Sequence, residues 1–560
     1  MKYLFFARHF TYLRNFESVL CSLAERGHQV HVAVERDEEF GGREMIDRLS
    51  VRYPGLTAGA APERGDGWYR LATKLRLTLD YLRYLEPAYE TTPRLRLRAE
   101  QRVPALLLAA LRLPVFRGHA GRRRLARLLV RWERAIPLDA GVLGYIRDAQ
   151  PDAVLITPLI GVVASPQLDY LYSAKALGIP TALCVWSWDH LSSKALIRTL
   201  PDRVFVWNPT QRQEAIDLHG VPPERIVVTG AQCFDQWFDR TPTRDRASFC
   251  RRVRMRDGRP FLLWVCSALF RSSPEEAPFV GRWIRALRDS GHPSLAEANI
   301  LIRPHPSRVS EWERVDVRQW EGVALWGGNP VDAESRNDYF DSLYHSAAVV
   351  GLNTSAFIEA AIVGRPVYTV LLPEFRESQE GTIHFHYLLT VAGGLLNASR
   401  SLEGHAAQLH QFLSGAGSPP VSGRRFVEAF VRPHGLARSS TERFVEAVEA
   451  LAGGRADAAA AAAPVPAPAP LSVRLLAAFE RGAGHALMRD AREQGEAVRS
   501  RTVAAREAAD RRVRLAAKAE VRAAKARAFD ERRREKQRTL DERKRRKRTK
   551  ALKERLGLGS

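Results

Sequence analysis

The sequence predicts an α/β chain of two successive Rossmann-type domains, followed by an Ala/Pro linker and a basic helical tail. Three observations predict it. Strand and helix patterns alternate through two successive series. Composition breaks sharply at ADAAAAAAPVPAPAP (456–470), where alternating Ala and Pro favour an extended linker. Net positive charge is confined to appendages. The chain has 560 residues and a net charge of +23, with 16 basic against 5 acidic residues in 69–135 and 28 against 13 in 471–560. The rest is close to neutral, and 45% apolar content gives it enough material for large cores.

The first domain spans 1–240. KYLFFA is a strand, NFESVLCSLAERG a helix closed by Gly27, and QVHVAV a second strand, which together open a parallel sheet. DAVLITP, TALCVW, RVFVWN and RIVVTG follow as strands, with helical stretches such as TQRQEAIDLHG between them. Residues 69–135 read as basic helices inserted into this domain. The second domain, 255–425, runs through PFLLWVCS, NILIRPHP, GVALWG, AAVVGLN and RPVYTVLL. A helix over 426–455 follows. Beyond the linker, 471–560 is rich in Ala, Arg, Glu and Lys without Pro, and reads as one long helix or two, of coiled-coil character.

Five scattered cysteines without a CxxC pair point to a reducing compartment and no structural metal. No apolar run approaches the roughly 20 residues of a membrane span. The longest, PALLLAALRLPVF (104–116), is broken by Arg112 and could lie on a membrane without crossing it. The localisation expected is cytoplasmic, with peripheral contact to the inner face of the cytoplasmic membrane.

Four stretches carry candidate chemistry. VVGLNTSAFIEAAIVGRPVYTV (349–370) reads as strand, polar turn, helix, Gly stop and strand. Ser355 and Glu359 share a helix face, so a hydroxyl and free N–H groups could hold a phosphate while the carboxylate accepts a ribose diol. Equally, Ser355 or Thr354 could be an N-cap and Glu359 an exposed dipole-favouring residue. In NILIRPHPS (299–307) two prolines stiffen the end of a strand and present Arg303 and His305 where open sheets bind ligands. Arg303 could grip a phosphate and His305 could assist it or protonate a leaving diphosphate, or both could belong to a rigid structural loop.

LPEFRESQEGTIHFHYLL (372–389) gathers Gln379, Glu380, His384 and His386, which suit a polyhydroxylated ligand or a solvated loop; the His-x-His pair is a weak metal signal. TALCVWSWDHLSSKALI (181–197) brings Trp188, Asp189 and His190 to a strand end. This is an aromatic platform beside an acid/base pair, or core Trp residues and an N-cap. His9 ends the first strand at the same edge.

At these residues the chain resembles the GT-B superfamily. Ser355, Glu359 and Gly364-Arg365-Pro366 are similar to the donor-nucleotide motif of nucleotide-sugar glycosyltransferases and UDP-N-acetylglucosamine 2-epimerases. ILIRPHP and TGAQCFDQWF (229–238) resemble the CDP-glycerol glycerophosphotransferases, in which the His corresponding to His305 binds the donor diphosphate. Asn353-Thr354-Ser355 replaces the Asp-Tyr-Ser-Ser of that group, which favours a nucleotide-sugar donor, and no Asp-x-Asp metal motif is present.

The resemblance implies a metal-independent glycosyltransferase of GT-B-like fold, in which a 1–240 acceptor domain and a 255–425 donor domain face each other across a cleft, with a return segment. It uses a UDP-, CDP- or GDP-linked sugar as substrate and no cofactor. Arg303, His305, Asn353, Thr354, Ser355 and Glu359 would hold the nucleotide, and Gln379, Glu380, His384 and Trp188 the sugar. His9, Asp189, His190 and His305 would be catalytic. Partners expected are a glycan or lipid-linked acceptor and an anionic membrane surface met through 69–135 and 471–560. Nucleic acid is disfavoured, because the tail has only Phe479 and Phe529 for stacking. The alternatives are a polyol phosphotransferase, an epimerase, or a non-catalytic scaffold whose basic tail binds an anionic partner.

Overall fold

Two parallel sheets organise the protein. The computed structural model describes residues 1–36, 41–161, 166–270, 273–330, 332–416, 420–454 and 469–478. The linker expected at 456–470 falls almost wholly outside the described residues, as does the tail beyond 478.

The first sheet contains β1 (Lys2–Ala7), β2 (Gln29–Val34), β3 (Leu56–Ala60), β4 (Ala153–Thr157), β5 (Thr181–Cys184), β6 (Arg203–Val206) and β7 (Ile226–Val228). Their order is β3-β2-β1-β4-β5-β6-β7, and every pair is parallel. The second contains β8 (Phe261–Val265), β9 (Asn299–Arg303), β10 (Val323–Leu325), β11 (Ala348–Gly351), β12 (Val367–Val370) and β13 (Leu396–Ser399), in the order β10-β9-β8-β11-β12-β13 and again all parallel. In both sheets the strand order reverses beside the first strand. Such a switch point opens a crevice at the carboxyl ends of the strands.

The near-continuous apolar runs of the central strands follow from burial on both faces. All five residues of β4, β8 and β9 are buried. The edge strands β3 (LTAGA) and β13 (LNAS) lack such runs, and the sequence pattern does not reveal them.

The run expected as one helix over 426–455 is two helices, Arg424–Phe430 and Ser440–Gly453. Pro433 and Gly435 break it, and the intervening chain crosses from the second domain to the first. Phe444, Val445 and Val448 then complete a core with Phe16 and with Phe5 and Phe205 of the first sheet. Asp235, within TGAQCFDQWF, clasps the crossing: it accepts from Arg432 Nη2 at 2.8 Å, Ser439 Oγ at 2.9 Å and the Thr441 amide at 2.6 Å.

The insertion is helical, with Tyr69–Arg83, Pro93–Glu100 and His119–Arg134 as its longest members. It is less solvated than its charge suggests. Arg76 is buried and paired with Glu133 at 2.9 Å and Asp169 at 2.9 Å. The first turns of the tail, helix 471–478, seat Val473 and Ala477 against Leu71, Leu75, Leu79, Leu82 and Leu129 of the insertion. No described helix is long and apolar enough to cross a membrane.

Candidate active site

The crevice between the carboxyl ends of the two sheets encloses a cavity of about 650 Å³. The first domain lines it with Arg14, Glu17, Trp186, Trp188, Asp189 and Lys194, and the second with His305, Arg336, Tyr339, Asn353–Ser355, Glu359 and His384.

The turn after β11 is held from two sides. The Asn353 amide donates to Ser267 Oγ at 3.0 Å, which ties it to the loop after β8 across the switch point. Gln379, buried, donates its amide to the carbonyls of Leu352 and Val370, both at 3.1 Å. Gln379 thus braces the turn and does not line the cavity. Thr354 Oγ1 accepts from the Ala356 amide at 3.3 Å, whereas Ser355 makes no side-chain cap bond and faces solvent. The helix that follows, Ala356–Ile362, has seven residues and stops before Gly364 at φ 74°. Two turns carry a weak dipole, so anion binding here falls mainly to side chains.

Glu359 is no exposed dipole partner. It lines the cavity, accepts a hydrogen bond from the Tyr339 hydroxyl and is pushed up to about 7, chiefly by burial. Arg303 lies underneath: it is buried, its guanidinium stands 5.1 Å from the Tyr339 ring, and it does not line the cavity. A Cβ at Gly327, whose φ is 98°, would stand 2.4 Å from that guanidinium, so the neighbouring chain is bare to admit it. The cations that do line the cavity beside this turn are Arg14, Arg240 and Arg336, which come from three separate segments and carry no local sequence signal. Arg336 pairs with Glu17 at 3.3 Å. Arg240 donates to Asn337 at 2.6 Å and, among the described residues, forms no ion pair.

His305 accepts the Ser307 amide at Nδ1, at 3.2 Å. The neutral ring therefore carries its proton on Nε2.

Across the cavity, Asp189 accepts from Lys194 Nζ at 2.7 Å, Ser187 Oγ at 2.6 Å and Ser193 Oγ at 3.0 Å. Although burial opposes its charge, the Lys194 ammonium and these donors hold it far below the usual carboxylate range. His190 points instead into the core, donating Nε2–H to the Ile160 carbonyl at 3.3 Å, and burial lowers it to about 4. His9 packs its ring edge on Tyr12 at 4.6 Å and is absent from the cavity wall. His384 does line the wall, edge-on to Trp188 at 4.8 Å, and burial lowers it to about 4. Glu380 is outside, paired with Arg400 at 2.6 Å. Among the described residues, no group of three His, Cys, Asp or Glu side chains could hold a metal.

No protein-family model and no curated protein matches this sequence. Solved structures do. A glycosyltransferase from Rickettsia africae ESF-5 is 10% identical over 80% of this chain and 98% of its own, at a TM-score of 0.46. WaaG, a glycosyltransferase involved in lipopolysaccharide biosynthesis, is 13% identical over 80% and 99%, at 0.41. The UDP-GlcNAc 2-epimerase from Neisseria meningitidis, solved with UDP-GlcNAc bound, is 12% identical over 80% and 100%, at 0.43. The two parallel sheets, the cleft between their carboxyl ends and the C-terminal helix that returns to the first domain give this chain a GT-B two-domain fold.

Proposed function

We propose that the chain is a glycosyltransferase moving a sugar from a UDP-, CDP- or GDP-linked donor to a hydroxyl of a surface-glycan or glycolipid acceptor. One observation carries the reading. A polar turn with a carboxylate behind it, Asn353 to Glu359, faces an ionised carboxylate, Asp189, across a single cavity with aromatic walls. Glu359 accepts the ribose hydroxyls. Arg240, Arg336, the Ser355 hydroxyl and His305 Nε2–H meet the diphosphate.

In the reaction the bond from the anomeric carbon to the diphosphate oxygen breaks, its electron pair leaves with the phosphate, and the acceptor oxygen bonds to that carbon. Asp189 orients the acceptor hydroxyl and takes its proton. So weak a base accepts it only as the new bond acidifies the oxygen, which makes transfer concerted. Trp188 and Trp186 offer faces for a sugar ring.

A glycolipid acceptor is favoured by the exposed side of His119–Arg134, where Arg123, Arg124, Arg127, Arg131 and Arg134 surround Leu128, with Leu113 and Val115 also exposed nearby in sequence. This is the composition of a surface that rests on anionic lipid, and it would put the enzyme on the inner face of the cytoplasmic membrane.

The test is calorimetry with UDP, CDP, GDP and their sugar or glycerol conjugates, on wild type and Glu359→Ala. Binding of one nucleotide, lost in the variant, identifies the base and supports the reading. Product analysis with the cognate donor then separates transfer from epimerisation and from glycerophosphate transfer. Failure of every nucleotide to bind the folded protein would leave the scaffold alternative.

A further inference from the structure

One corner of the cavity is not used by the donor chemistry described above. Leu95 and Arg98 lie three residues apart on the helix Pro93–Glu100, hence on one face of it, and both line the cavity. That helix belongs to the insertion and bridges the two domains. Leu95 clusters with Tyr84 and Tyr89 of the insertion, and Phe270 and Ile383 of the second domain pack against that cluster. Arg94 pairs with Glu377 of the second domain. The insertion also grips the first domain: Arg83 donates to the carbonyls of Leu191, Lys194 and Ala195, and Tyr84 to that of Lys194 at 2.6 Å. The segment that carries Lys194 is thereby fixed to the helix that carries Arg98.

The charges in this corner do not cancel. Lys194 is neutralised by Asp189 at 2.7 Å. The remaining carboxylates of the cavity are engaged: Glu17 by Arg48 at 2.8 Å and by Arg336, Glu359 by Tyr339. Arg98 donates Nη2 to the Ser193 carbonyl and, among the described residues, forms no ion pair. A guanidinium has five N–H donors in a planar fork, so donors remain beyond those that meet the Ser193 carbonyl and the Tyr84 hydroxyl. His384, more than nine-tenths buried, adds an Nδ1 atom with no partner. The corner thus holds one uncompensated cation and an unsatisfied ring nitrogen, next to the carboxylate that orients the acceptor.

We propose that Arg98, Lys194 and His384 form a second anion subsite, which takes a phosphate or carboxylate group carried by the acceptor close to the hydroxyl that is glycosylated. This rests on the transferase reading for the word acceptor. The subsite itself is defined by the insertion and is separate from the turn that holds the nucleotide. It also gives the insertion a role in the cleft, since without Pro93–Glu100 the corner would have neither its cation nor its wall.

The experiment uses the full chain and three probes: inorganic phosphate, glucuronate and uncharged glucose. Each is titrated by calorimetry into protein saturated with the nucleotide diphosphate that binds, and again into nucleotide-free protein. Phosphate or glucuronate should bind the saturated protein at least tenfold more tightly than glucose, and whichever binds names the anion. Arg98→Gln, which keeps a donor for the Ser193 carbonyl but removes the charge, should weaken that anion about tenfold, as expected for loss of one charge-assisted hydrogen bond, with nucleotide affinity unchanged.

Several results overturn the proposal: no anion binding to the saturated protein, equal binding of glucose, or an Arg98→Gln variant that loses thermal stability while anion binding is untouched. Parallel loss of nucleotide and anion would merge the corner with the donor site and overturn it as well. Should no nucleotide bind at all, the donor reading fails on its own. The nucleotide-free titration then decides the subsite, with Arg98-dependent anion binding supporting it and Arg98-independent binding overturning it.

Discussion

The Tyr339 hydroxyl donates to the Glu359 carboxylate, and the Tyr339 ring in turn covers the Arg303 guanidinium at 5.1 Å. Burial lifts Glu359 to about 7, while the Tyr339 hydrogen bond pulls it down. Only the ionised carboxylate can accept two ribose hydroxyls without donating. Nucleotide affinity should therefore rise between pH 6 and pH 8, and calorimetry across that range measures it. Tyr339→Phe removes the stabilising donor, so the midpoint moves to higher pH. A pH-independent affinity in wild type would count against a ribose contact at Glu359.

Asp189 leads to a different pH dependence. Lys194 and two hydroxyls hold it far below the usual carboxylate range, so no titration of this group should appear near neutrality. Asp189→Asn preserves shape and should lower the transfer rate by about 10²- to 10⁴-fold, the usual contribution of a positioned proton acceptor, with nucleotide affinity unchanged. Lys194→Met leaves the carboxylate without its counter-ion. Its pKa rises, and an acidic limb should enter the pH–rate profile where wild type has none.

The central strands were legible because parallel strands covered on both faces read as apolar runs, as in KYLFFA and FLLWV. The edge strands were not, because LTAGA and LNAS bury little and look like loops. In the cleft, the turn at Asn353–Ser355 and Glu359 could be found from its own spacing. Arg98, Arg240 and Arg336 could not, since each comes from a different segment and only folding assembles them. His190 was misleading for a local reason: it stands one residue after Asp189 at the start of a short helix, where successive side chains point about 100° apart. One therefore enters the cleft and the other the core.

Arg303 was expected to grip phosphate because it ends a strand at the ligand-binding edge. The structure places it within the sheet's core, 4% exposed, where its charge is met by the Tyr339 face and by the Asp338 carbonyl at 3.4 Å. On this placement it would act as a positioning residue for Tyr339. Arg303→Ala should destabilise the fold by about 2 kcal/mol, the size of a desolvated cation–π contact, and weaken nucleotide only through the displaced Tyr339–Glu359 pair. Arg303→Lys should recover thermal stability in part. A direct phosphate ligand would behave otherwise, losing nucleotide affinity with little change in unfolding temperature.

The start of the tail gives the last prediction. Helix 471–478 turns Val473 and Ala477 inward onto the insertion and leaves Leu471 and Leu475 exposed, at 70% and 61%. The segment 471–478 is therefore held on the insertion by packing. Burial of a valine side chain stabilises by about 1.5–3 kcal/mol, so Val473→Asp should release this helix without touching the cleft. Hydrogen exchange should then accelerate in the partner segments around 71–82 and 125–130, while nucleotide affinity stays at the wild-type value. Faster exchange at Asn353–Glu359 in the same variant would show that the insertion transmits the loss to the donor side, through the Tyr84–Tyr89–Leu95 cluster against which Phe270 and Ile383 pack. Unchanged exchange at both places would mean that the 471–478 contact contributes nothing to the insertion's stability.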